Sequence, residues 1–249
     1  MSETLEIREC KTLDELSECV ALQREVFALP EVELSPVRHF VVTRNAGGFT
    51  LGAYDGTRLA GFLLSVPAFH RGKPAFYSHM TGVRPEYQSH GVGARLKWAQ
   101  RTRALAAGIT YIKWTFEPVK ARNAYFNLEK LGATVRELQP NFYGTDYATT
   151  AGGRRKVGLL SDRLFAEWDL ESPNVEALAA GEKYFEGDEP RATVEIMNDW
   201  QSLAEADPER GLAEQMRIRG EFLAAFERGL VGRAFRRDDD HPLYLLYSE

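Results

Sequence analysis

Val83-Arg-Pro-Glu-Tyr-Gln-Ser-His-Gly-Val-Gly-Ala-Arg-Leu96 is the stretch at which the chain changes period. Before it, residues 75–83 read as a strand. After it, residues 91–107 place Val92, Leu96 and Ala99 on one helical face and stop at Gly108. Residues 111–116 alternate again as a strand, and Pro118 ends it. Strand, helix and strand joined by short connections make a crossover, which sets the two strands parallel in one sheet. The loop between strand and helix carries Gly91 and Gly93. Glycines let backbone N–H groups come close to a ligand. The first helical turn leaves its N–H groups unpaired at the positive end of the dipole. Together these favour a phosphate or pyrophosphate.

Upstream lies an antiparallel meander. Residues 49–54 turn at Asp55-Gly56 into 59–66, an apolar run suited to burial on both faces, and Arg71-Gly72 leads into the third strand. Residues 5–8 read as a short strand. Thr12 with Glu15 predicts a capping box, followed by a helix whose Leu13, Leu16, Val20 and Phe27 share a face and which ends at Pro30. Residues 31–48, with Pro36 and Gly47-Gly48, read as irregular. Downstream of the crossover, Ala124, Leu128 and Leu131 mark a helix closed by Gly132, and 134–143 reads as extended. A polar loop at 144–160 precedes a strand at 163–170.

At 171–190 the composition shifts, with Pro173, Gly181, Gly187, Pro190 and several acids. This predicts a linker, and divides the chain into a domain at 1–170 and a smaller α/β extension at 171–249. The extension reads as a strand at 192–197, a helix at 209–229 with Met216, Leu223, Phe226 and Leu230 in register, and a hairpin across 237–242.

The composition narrows the function classes. The chain has 249 residues and a net charge of −5, which argues against a dedicated nucleic-acid or anionic-membrane binder, because those need a basic face. No apolar run reaches the ~20 residues that span a bilayer, and the opening decapeptide lacks an apolar core, so a soluble cytoplasmic protein is expected. Cys10 and Cys19, nine apart, and the five histidines show no metal-ligand spacing, so no metal is expected. The two cysteines read as small buried side chains.

Two familiar phosphate loops fail the spacing test. No Gly-Lys-Ser/Thr follows Gly91, and a dinucleotide fingerprint would need glycine where Leu96 stands. A bare Gly-x-Gly also reads as a plain turn. The wider pattern is more specific. Gln88-x-x-Gly91-x-Gly93, five residues after a strand-ending Val83, resembles the acyl-CoA loop of the GNAT superfamily of N-acetyltransferases. Arg122-Asn-Ala-Tyr-Phe-Asn-Leu-Glu-Lys-Leu-Gly-Ala133 is similar to that superfamily's fourth helix. The element order fits across roughly 1–170.

The resemblance implies an α/β fold (α+β, a mixed splayed sheet of about seven strands) with acyl-CoA as co-substrate. It places the pyrophosphate on Gln88, Ser89, His90, Gly91, Val92, Gly93 and Ala94, with further CoA contacts from Thr81, Val83, Asn123 and Phe126. The amine of a small molecule or amino acid attacks the thioester directly. Such chemistry needs a base, oxyanion donors and a proton source for the thiolate. By period two, Tyr77, His79, Thr81 and Val83 share a strand face, and His79 is the candidate base. Histidine at this place is the base in the arylalkylamine N-acetyltransferases, which the strand resembles locally. His79 also reads as a packing residue of the cleft wall. The superfamily's usual acid, a tyrosine before Glu-Lys-x-Gly, is here Leu128. Tyr125, one helical turn earlier, is the candidate substitute, and water is the alternative. His39, His70, His90 and His241 read as surface. Arg154-Arg155-Lys156 reads as a solvated loop, with attraction of an anionic substrate as the alternative for it and for Arg163. The rival readings are a non-catalytic acyl-CoA-binding module and an unrelated phosphate-ligand enzyme. The aromatic C-terminal hairpin offers an edge for a homodimer.

Overall fold

Thr12 and Glu15 start the first helix as a reciprocal pair. The Thr12 N–H donates to Glu15 Oε2 (2.9 Å), and the Glu15 N–H donates to Thr12 Oγ1 (3.2 Å). The computed structural model describes residues 5–27, 29, 31–144, 160–184 and 187–249. Pro30 and Arg154-Arg155-Lys156, on which two of the expectations above rest, lie outside them. The chain forms two compact units, one running to Lys113 and the other starting at Trp114. The reading from composition divides the chain at 170/171 instead.

The first unit holds β1 (Glu6–Glu9), β2 (Phe49–Asp55), β3 (Arg58–His70), β4 (Lys73–Val83) and the start of β5 (Tyr111–Phe116), paired in that order. The first three pairings are antiparallel. β4 and β5 are parallel through Phe76↔Ile112 and Tyr77↔Lys113, as the crossover requires. α1 (Leu13–Phe27) and α2 (Val37–Asn45) cover one face, where Leu16, Cys19, Leu22, Phe40, Phe62 and Leu64 pack together. α3 (Val92–Leu105) covers the other and buries Val92, Leu96 and Ala104. With both faces covered, β3 is apolar and buried from Leu59 to Ser65. Cys10 and Cys19 are buried with their sulfurs 3.9 Å apart.

α2 corrects the irregular reading of 31–48. Pro36 precedes the helix instead of breaking it, and Phe40 and Thr43 are its buried residues.

The second unit holds β7 (Arg163–Asp169), β6 (Thr134–Gln139), β9 (Leu230–Arg236), β10 (Leu243–Ser248) and β8 (Ala192–Glu195), paired in that order. Its helices are α4 (Ala121–Tyr125), which runs on into a π-turn at Phe126–Lys130, then α5 (Pro173–Ala179), α6 (Trp200–Ala206) and α7 (Pro208–Glu227). Residues assigned above to a separate extension are built into this unit. β9 pairs with β6 at Val135↔Gly232. The Tyr244 hydroxyl, fully buried, donates to the Pro118 carbonyl at 2.8 Å. Gln215 on α7 bonds both the N–H and the carbonyl of Leu160. Three details differ from the sequence reading. Pro173 is the first residue of α5, so part of the expected linker is helical. The inner face of α7 is Gly211, Gln215, Ile218, Phe222 and Ala225, while Met216 and Leu223 are exposed. β10 is flanked by β9 and β8, so the expected free edge of the hairpin is covered by β8.

Among the described residues no helix is long and apolar enough to cross a membrane, and no group of three or more His, Cys, Asp or Glu is placed to hold a metal ion.

Candidate active site

One extra residue in β4 sets the site. Leu64 of β3 faces Met80, but the next residue, Ser65, faces Ser78, so His79 is an unpaired insertion, a β-bulge. The bulge changes the parity of the strand. Met80 packs into the α1–α2 cluster, and a Cβ at Gly82 would meet Leu22 and Phe27 of α1. Thr81 and Val83 therefore point to the α3 face, where Val83 neighbours Gly61 and Leu96. Ser78 also points to α3, where its hydroxyl accepts from Lys97 Nζ at 2.8 Å. His79 lies on the α2 side. Its Nε2 is 3.3 Å from Ser35 Oγ, and its ring meets His39 edge-on with centroids 5.4 Å apart. The expectation that Tyr77, His79, Thr81 and Val83 share a face thus holds only across the bulge-free parts of the strand.

His79 is exposed at the strand surface, yet protein surrounds one edge of its ring. That loss of water, with the charge of His39 added, holds its pKa below 6.5. A neutral imidazole near neutral pH can accept a proton. Ser35 is itself fixed by Gln23, fully buried on α1. The Ser35 N–H donates to Gln23 Oε1 (3.0 Å), and Gln23 Nε2 donates to the Ser35 carbonyl (3.1 Å).

Beyond Val83 the chain makes a 3-10 turn at Pro85–Tyr87. Gln88 Nε2 then donates back to the Val83 carbonyl at 3.0 Å, tying the loop to the strand end. Ser89 (φ 65°) and Gly91 (φ 76°) both take left-handed backbone, and α3 starts at Val92 with no side chain capping it. The first-turn N–H groups of Val92, Gly93 and Ala94 are thus left for an external acceptor. Ser89, His90 and Gly91 are exposed, Gly93 and Ala94 half-buried and Val92 buried.

Asn123, Tyr125 and Phe126 lie in the second unit on α4 and its π-turn, all half-buried. Arg237 sits 3.7 Å over the Tyr125 ring, with Lys130 at 5.5 Å. Leu128, at the place where the resemblance leads one to expect tyrosine, is buried. Arg163 is buried beside Glu117 (3.7 Å) and the Tyr143 ring (5.0 Å), which corrects its reading as a free attractor for anions.

The sequence model of the acetyltransferase (GNAT) family matches residues 13–132, from α1 through the crossover to the end of the π-turn. Over those residues the chain is similar to the GNAT family of acetyltransferases. Solved structures agree on the fold. A GNAT-family protein from Desulfovibrio desulfuricans is 14% identical, with a TM-score of 0.54 over 67% of this chain and 99% of its own. A Bacillus subtilis acetyltransferase in complex with CoA is 18% identical, with a TM-score of 0.50 over 67% and 99%. An IAA acetyltransferase from Bacillus cereus is 15% identical, with a TM-score of 0.50 over 67% and 100%. No curated protein matches the sequence significantly.

Within residues 13–132, Ser35, His39 and Gln23 belong to the candidate site and were missed by the sequence reading. His39 is half-buried against His79, not a surface residue. The available signal was the spacing of Val37, Phe40 and Val41 after Pro36, which marks a helix and hence a buried side.

Proposed function

We propose that the chain is a CoA-dependent N-acyltransferase. It moves an acetyl or another short acyl group, such as succinyl, from acyl-CoA to the amine of a small molecule or amino acid. The observation that carries this reading is the loop from Gln88 to Ala94. It is pinned to the strand end, left-handed at two residues, and opens a 14-residue helix whose first amides are uncapped. A pyrophosphate fits that cradle. Thr81 and Val83 lead into it on the same face of the sheet, and Asn123 and Phe126 are proposed as further CoA contacts.

The acceptor arrives protonated, and an ammonium cannot attack. His79 takes its proton, and the free amine adds to the thioester carbonyl. The tetrahedral oxyanion collapses with loss of the thiolate. Tyr125 is the proposed proton source for that thiolate, since Leu128 has no proton to give. No metal enters the scheme. Residues 1–170 are proposed as the acyltransferase fold and 171–249 as an addition to it, in a cytoplasmic enzyme that binds neither nucleic acid nor membrane.

The test is thiol release from acetyl-CoA and succinyl-CoA across a panel of amino acids, with His79→Gln beside the wild type. Turnover should fall by ~10²–10⁴-fold in the variant while CoA affinity holds. Because only the neutral imidazole is a base, the wild-type rate should rise with pH through a pKa below 6.5. A folded His79→Gln protein with wild-type turnover across that range refutes the assignment. Leu128 favours one second reading, an acyl-CoA-binding module without catalysis. CoA binding without turnover on any amine would select it.

A further inference from the structure

We propose that Ser35 is a positioning residue for His79. Its hydroxyl oxygen accepts the Nε2–H proton and so leaves the lone pair on Nδ1 for the acceptor's ammonium. The inference rests on reading His79 as the base.

Ser35 Oγ and His79 Nε2 are 3.3 Å apart, and Ser35 is buried. A neutral imidazole carries one N–H, and the bond made at one nitrogen decides which nitrogen is basic. If the hydroxyl donated to Nε2, the proton would sit on Nδ1, and the one basic nitrogen would already be occupied by a buried partner. With the hydroxyl accepting, Nδ1 is free. The proton then passes from the ammonium nitrogen to Nδ1, giving a free amine and an imidazolium whose Nε2–H stays on Ser35. Charge is conserved, and no further reactant enters.

Such a role needs a Ser35 that does not move, and Gln23 supplies that. The buried amide bonds both the N–H and the carbonyl of Ser35, so α1 holds the backbone of a residue that touches β4. The side chain of Ser35 contributes nothing to this clamp. Ser35→Ala therefore removes the hydroxyl and keeps both backbone bonds. The titratable group acting on His79 from the packed elements is His39 on α2, and among the described residues no carboxylate does so. With no anion to orient the ring, the hydroxyl is the polar atom that can.

The experiment is nitrogen-proton correlation NMR on protein labelled with ¹⁵N-histidine, in parallel with steady-state kinetics. In the wild type, neutral His79 should carry its proton on Nε2. In Ser35→Ala the tautomers should mix, and kcat should fall by about tenfold, less than for loss of the base, with KM for acyl-CoA unchanged. Ser35→Thr keeps a hydroxyl and should restore both readouts. A wild-type His79 protonated on Nδ1 overturns the proposal. So does a Ser35→Ala protein with unchanged tautomer and unchanged kcat. If His79→Gln retains turnover, the base reading itself has failed. The NMR result still decides separately whether Ser35 sets the tautomer.

Discussion

Gly91→Val should weaken CoA binding by roughly 5–30-fold, and the reason is conformational. The sequence suggests that a Cβ at this position would collide with the ligand's phosphate. The structure adds a prior constraint: Gly91 sits at φ 76° immediately before α3, and a Cβ there would meet no protein atom within 4 Å. Space is open, but the left-handed backbone costs an L residue roughly 1–2 kcal/mol, and a β-branched one is worse placed still. The loop would leave that conformation in most molecules, and apparent affinity falls by the fraction that remains competent. At about 1.4 kcal/mol per factor of ten, 1–2 kcal/mol is roughly 5–30-fold. Asparagine tolerates left-handed backbone far better, so Gly91→Asn should lose much less. The assay is calorimetric titration of CoA into wild type and both variants, each first checked for an intact melting transition. Unchanged CoA affinity in a folded Gly91→Val protein would refute the placement of the pyrophosphate on this loop.

Two further outcomes are expected. Asp162 is fully buried and bonded to Arg219 (2.6 and 2.8 Å) and to the Asn141 N–H (2.9 Å). Arg219→Leu strands that carboxylate and should cost about 3–5 kcal/mol, a fall in Tm of roughly 6–20 °C, which Arg219→Leu with Asp162→Leu should largely recover. A loss below about 1 kcal/mol in thermal melts of the single variant would contradict it. Acyl transfer should survive exhaustive chelation with EDTA. A rate lost on chelation and restored by a divalent ion would overturn the metal-free scheme.

The order of strands in the first unit was legible because hairpins and crossovers leave strong local marks. Asp55-Gly56 and Arg71-Gly72 turn the meander, and the period switch at Val83–Leu96 forces the parallel pair. The capping box at Thr12 and Glu15 was legible for the same reason. The bulge at His79 was not. It leaves no mark in the residues around it, since Tyr-Ser-His-Met-Thr is as regular as any strand, and the extra residue is visible only as a register shift against β3. α2 was hidden by its own punctuation, Pro36 before it and Gly47-Gly48 after it, which read equally well as a loop. The inner face of α7 was missed because it is built on Gly211 and Gln215. The glycine sits so close to Ala204 that a Cβ would lie 2.8 Å from its Cα, and the glutamine bonds the backbone of Leu160. Hydrophobic periodicity sees neither. It selected Met216 and Leu223, which face outward.

The inserted residue in β4 explains how one strand can serve two halves of the proposed site. Without it, alternation would keep His79 on the face of Thr81 and Val83, toward α3, and would turn Ser78 to the side of the apolar α1–α2 cluster against which Met80 packs, a poor place for a hydroxyl. With it, His79 turns to Ser35 and His39, while Thr81 and Val83 stay beside the helix whose first turn opens the glycine loop. The shift is pinned from that same helix. Ser65 and Ser78 face each other where the register breaks, and α3 reaches both, Gln100 to Ser65 and the fully buried Lys97 to Ser78. Burial pushes the Lys97 pKa well below 10.5. A buried amine and a buried amide are costly to place in a core unless they hold something. Here they hold the facing serine pair that flanks the bulge on one side. The helix that presents amides to the proposed pyrophosphate therefore also fixes the register that presents the proposed base.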